Sequence, residues 1–222
     1  MIFDLLFGNP IFGILWIIAL VLSLTVHEFS HALVGHLRGD DTAERMGRLT
    51  LNPLAHLDVA GTIALLILGV GWAKPVPFDP RRLADPFRDG ALIAFAGPLA
   101  NILFAAVAGL TFRALSSAGI MPVDSLLPPF LGILVFVNLL LCFFNFIPVH
   151  PLDGAKIADL VLWRLKAFKT LELLTRYGPN LLLVLILISL VTPLNIFIIV
   201  QLPAFLGCSA FIGQSCVPYL AG

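Results

Sequence analysis

Residues 11–36, IFGILWIIALVLSLTVHEFSHALVGH, form an apolar run with no Lys, Arg or Asp and a single Glu. A membrane-spanning helix needs about 20 apolar residues at ~1.5 Å each. The run therefore reads as a span, and part of the solvent of this chain is lipid. Composition agrees, since 59% of the 222 residues are hydrophobic and 12% are charged, against roughly 25% charged in soluble domains. Further spans are expected over 90–114, 129–147 and 180 to about 200. Residues 59–73, VAGTIALLILGVGWA, are too short to cross easily and predict a re-entrant helix.

Basic residues fix an orientation, because cytoplasmic loops carry the excess of Lys and Arg. Arg38, Arg45 and Arg48 follow the first span, and Lys74, Arg81, Arg82 and Arg88 follow the short segment. Lys156, Arg164, Lys166, Lys169 and Arg176 follow residue 147, whereas 115–128 has neither Lys nor Arg. The three basic loops read as cytoplasmic, and the loop at 115–128 and the N-terminus as external. The first segment lacks the basic n-region and cleavage site of a signal peptide and reads as a permanent helix. Between 156 and 176, apolar residues at helical spacing mixed with basic ones predict one interfacial helix. Pro193 and Pro203 leave the C-terminal stretch as one tilted span or two short ones.

The fold class is thus an all-α polytopic membrane protein, a bundle of about four to six membrane segments in one domain over 1–222. Thirteen basic and thirteen acidic residues cancel with no basic block, so nothing supports nucleic-acid binding and no nucleic-acid partner is expected. Cys142, Cys208 and Cys216 form no CxxC pair and read as small packed side chains.

The second half of the first span carries HEFSH, residues 27–31. On a helix His27 and His31 lie about 40° apart on one face. HExxH on a helix is the zinc-protease pattern, with both histidines as ligands and Glu28 as the base that takes a proton from water. A Glu inside a span costs about 2 to 3 kcal/mol by insertion scales, so it marks function. Catalytic zinc takes three protein ligands, and the candidates for the third are His36, His56, Asp58, His150 and Asp153. Asp153, in NFIPVHPLDGAK at the cytoplasmic end of a span, is the strongest.

Gly97 and Asn101 in GPLAN share one face of a span, where Gly allows close helix approach and Asn brings an amide into the bundle. Asn145 lies eight residues before Asp153. Asn101 and Asn145 are candidates for contacting substrate, and Asn145 could donate to an oxyanion. The proline-bearing AKPVPFDP, 73–80, suits a sheet edge that pairs with an unwound substrate by β-addition.

HEFSH, GRLTLNPLAHLD, GWAKPVPFDP, AGPLAN and NFIPVHPLDG occur here in the order found in the site-2 protease family of intramembrane zinc metalloproteases, and over about 23–160 the chain resembles its compact bacterial and archaeal branch. The resemblance implies a zinc ion held by His27, His31 and Asp153, Glu28 as general base, and a catalytic core over about 11–160. It also implies a small membrane-associated β-hairpin beside the site and location in a prokaryotic cell membrane. The implied substrates are single-span membrane proteins cut near the cytosolic face, such as membrane-tethered regulators or remnant signal peptides, with lipid and a regulatory membrane protein as further partners. The rival reading is a zinc-binding transporter or inactive scaffold, which would not need Glu28. His150 departs from the apolar residue or proline common in relatives and reads as a polar residue at the interface.

Overall fold

The computed structural model describes residues 8–68, 71–122 and 124–220. Helix α1, Pro10–Leu37, begins at Asn9, whose side chain accepts from the Phe12 amide, with Pro10 in the first turn. It ends in a Schellman turn: the Gly39 amide donates to His36 and the Asp40 amide to Gly35, with Gly39 at φ 98°. After α2, Thr42–Arg45, comes α3, Val59–Leu68, whose ten residues reach only about 15 Å. Leu57 and Ala73 pair as an antiparallel bridge. The excursion between them leaves and returns at one place, as a re-entrant segment must.

Helix α4, Pro86–Ser117, starts at Asp85, which caps the Arg88 amide. It is the hub of the bundle and packs against α1, α5 (Leu127–Asn145), α6 (Asp153–Arg164) and α8 (Ile198–Ile212). Four helices, α1, α4, α5 and α7 (Phe168–Val191), are long and apolar enough to cross a membrane. The polytopic all-α expectation holds. The core of Leu15, Ala105, Phe112, Val135 and Ala204 lies between α1, α4, α5 and α8.

Three expectations need correction. Residues 73–80 form no hairpin: among the described residues there is no strand, only the Leu57–Ala73 bridge and an irregular strap after it. Pro75, Pro77 and Pro80 have no N–H to give a ladder. The single helix expected over 156–176 is two, because the chain breaks between α6 and α7, with Lys166 at φ 56°. Cys208 and Cys216 are joined as a disulfide, Cα to Cα 5.9 Å, and only Cys142 is free among the described residues. The close of α8 brings Cys216 back over Cys208, a proximity that eight-residue spacing did not reveal.

Arg38 and Asp89 clamp the end of α1 to the start of α4, with Nε at 2.8 Å from Oδ1 of the 1% exposed carboxylate. Burying a carboxylate is costly unless it is paired, so this contact fixes the height of α4 beside α1.

Candidate metal centre

His27, Glu28 and His31 are buried on α1, and the two histidines lie on the face that meets α4. Proximity there depends on Gly97, because a Cβ at that position would lie 2.5 Å from His31 Nε2 and 2.6 Å from His27 Cε1. Asp153 opens α6 and reaches the same point, its Oδ2 3.2 Å from His27 Nε2 and 3.4 Å from His31 Nε2. Gly154 permits this placement, since a Cβ there would collide with the Phe146 carbonyl at the end of α5.

The protonation pattern around the cluster follows from groups that can only accept. Asn138 Nδ2 donates to the Leu134 carbonyl and to Ser23 Oγ, both at 2.8 Å, so Asn138 Oδ1 faces Asn101. Asn101 Nδ2 gives its hydrogens to Asn138 Oδ1 at 2.8 Å and the Ser23 carbonyl at 3.3 Å. Its Oδ1 therefore accepts from His27 Nδ1, at 2.6 Å. His31 Nδ1 likewise donates to the Ile93 carbonyl at 2.7 Å. With Nδ1 donating in both rings, an imidazole that carries no second proton has a bare Nε2, and the two Nε2 atoms face each other at 3.0 Å.

Three acceptor atoms of His27, His31 and Asp153 thus lie within 4.8 Å of one another. Asp153 Oδ2 is buried and takes no hydrogen bond. Lone pairs converging without a proton between them repel, and a buried unsatisfied acceptor costs about 1 to 3 kcal/mol. A cation at their centre removes both penalties, and two imidazoles with a carboxylate suit Zn²⁺. The residues present fit that ion.

The other candidate ligands go elsewhere. His36 pairs with Glu44 at 3.0 Å on the surface, and His56 Nε2 bonds to the Thr50 carbonyl at 2.8 Å. Asp58 Oδ1 caps the Gly61 amide at 2.8 Å, and His150 Nε2 meets Asp159 at 3.1 Å. Asn101, expected at the substrate, is fully buried and spends its amide on His27, Asn138 and Ser23. Asn145 gives its amide to the Leu141 carbonyl of its own helix at 3.0 Å. Asn138 and Ser23, both 0% exposed, were missed in the sequence. The signal was available, since an Asn in the middle of an uncharged span needs a partner.

Two outcomes follow. Asn101→Leu removes the acceptor that holds the His27 ring, and competition with a chelator should show metal affinity lower by about 10- to 100-fold, the usual effect of removing a group that orients a ligand. Gly97→Ala forces α4 off the histidines at a cost of about 1 to 3 kcal/mol. Its purified protein should hold far less metal while keeping its helical circular dichroism.

Glu28 lies beside the ligands without joining them, and its Oε2 accepts from the Val76 amide at 3.2 Å.

The sequence model of Peptidase family M50 matches residues 15–125. The chain is 37% identical over 187 residues to "Putative zinc metalloprotease YwhC" of Bacillus subtilis, covering 82% of this chain and 83% of that protein. It is 25% identical over 202 residues to "Zinc metalloprotease MJ0392" of Methanocaldococcus jannaschii, covering 90% of this chain but 50% of the relative. No solved structure matches the chain.

Proposed function

The chain belongs to peptidase family M50 and is a zinc-dependent metalloprotease, and on that premise we propose that it cuts membrane proteins inside or beside their spans, near the cytosolic face. One observation carries the reading: the converging acceptors of His27, His31 and Asp153 lie within an apolar helix bundle, with Glu28 beside them.

His27, His31 and Asp153 hold the zinc ion in this reading. When bound, zinc polarises a carbonyl and makes water a nucleophile near neutral pH. Glu28, one oxygen held by the Val76 amide, uses the other to take the proton of the attacking water and hand it to the departing amine. Asn101 and the Ile93 carbonyl hold the imidazole rings in place. The Asp153 side chain is 18% exposed, against 5% for His27, so water enters from the α6 side.

The basic loops lie at the end of the bundle formed by Leu37, Pro86 and Asn145, which supports a cytosolic placement of that end and an external N-terminus. The disulfide supports the same orientation. Cys208 contacts Gly132 near the start of α5, at the opposite end, and disulfides persist in oxidising compartments. His31 then lies about 9 Å from the cytosolic end of α1. A helical substrate has its carbonyls tied in i to i−4 bonds and must unwind before it is cut. Substrates in this reading are single-span proteins, such as membrane-tethered regulators or remnant signal peptides, held in a prokaryotic cell membrane.

The experiment reconstitutes the protein in liposomes with a panel of single-span substrates and determines product masses. The expected masses place the cut within the cytosolic third of the span. Cuts confined to soluble segments remote from the span would contradict the membrane assignment.

A further inference from the structure

The strap from Lys74 to Asp79 is fastened at three points. The Lys74 amide donates to the His56 carbonyl at 2.8 Å, the Val76 amide to Glu28 at 3.2 Å and the Asp79 amide to buried Asp40 at 2.7 Å. Pro75 and Pro77 flank Val76 and have no N–H. Val76 therefore supplies the single backbone donor between 75 and 77, and it is spent on the carboxylate.

The two ends of the strap are anchored independently of Glu28. Asp40 is 1% exposed and bonds the Thr42 amide at 3.1 Å as well as Asp79. The Phe78 ring packs beside Gly90 of α4 and under the Lys156 ammonium at 6.0 Å. The fold thus holds the Val76 amide in front of Glu28.

We propose that Val76 is a positioning residue whose backbone amide holds Glu28 in the orientation from which it takes a proton, so that the strap is part of the base and not only a surface for substrate. This rests on the assignment of Glu28 as general base.

Two measurements test it. The first is hydrogen exchange of the zinc-loaded protein in detergent, where prolines at 75, 77 and 80 leave few exchanging amides in the strap. Glu28→Ala should speed exchange at Val76 about tenfold, in line with the loss of one hydrogen bond to a charged group. Unchanged exchange would overturn the proposal. This readout needs no proteolysis, so it separates failure of the strap contact from failure of the protease reading, which would show as wild-type protein that never cuts.

The second is kinetic. Val76→Pro removes the donor and should lower kcat by about 10- to 100-fold, with KM and zinc content within about twofold of wild type. The conservative Val76→Ala keeps the N–H and should lose no more than about threefold. Equal losses in the two variants, full activity in Val76→Pro, or loss of its zinc would each overturn the proposal. Where Val76→Pro does not purify, the exchange comparison decides alone.

Discussion

Glu28→Gln should retain zinc at the wild-type level and lose cleavage by about 10³-fold, within the range that a positioned general base contributes. Gln is nearly isosteric and still offers an oxygen to the Val76 amide, so the strap and α1 stay in place. What is lost is a group that can take and return a proton. Glu28 is not among the three residues whose acceptor atoms converge, which is why metal content should not change. Side-by-side zinc analysis and cleavage rates check both halves. Loss of zinc together with activity would mean that Glu28 is a ligand, and full activity would place the base elsewhere.

Asp153→Asn should have the larger effect on the metal. It replaces an anionic oxygen, 3.2 and 3.4 Å from the two Nε2 atoms, by a neutral amide. The two imidazoles alone leave zinc short of its usual three protein ligands. Zinc affinity measured by chelator competition should fall by more than the roughly 10- to 100-fold expected on removing an orienting group such as Asn101, and cleavage should fall with it. Excess zinc should restore part of the activity. An Asp153→Asn protein with wild-type affinity would remove Asp153 from the ligand set.

Much of this was legible in the sequence, for reasons that differ from element to element. Spans are set by a run of apolar side chains, a one-dimensional property, and α1, α4 and α5 fall where hydropathy placed them. His27 and His31 sit one helical turn apart, so their meeting is local. Asp153 depends on two segments separated by more than a hundred residues, and only the end of its span suggested the encounter. Asn138 and Ser23 required knowing which faces of α1, α4 and α5 meet, and that is decided by small residues such as Gly97 rather than by hydropathy.

The strap shows the opposite limit. Its prolines argued for a sheet edge, no strand formed among the described residues, and the donor that matters is a main-chain amide. Every residue except proline has one, so no residue type announced it. The helix break at Lys166 escaped notice because the amphipathic pattern runs through it, whereas the left-handed backbone conformation there interrupts the helix.

In the function proposed for this chain, one zinc ion held by residues from two distant parts of the sequence drives hydrolysis in a membrane setting. The most direct test strips zinc from the wild-type protein in liposomes, adds it back stepwise, and measures metal content and cleavage of a single-span substrate on the same samples. Activity rising in proportion to bound zinc and saturating near one ion per chain is the result expected. Cleavage that persists in the stripped protein, or a fully loaded protein that leaves every substrate of the panel intact, would contradict it.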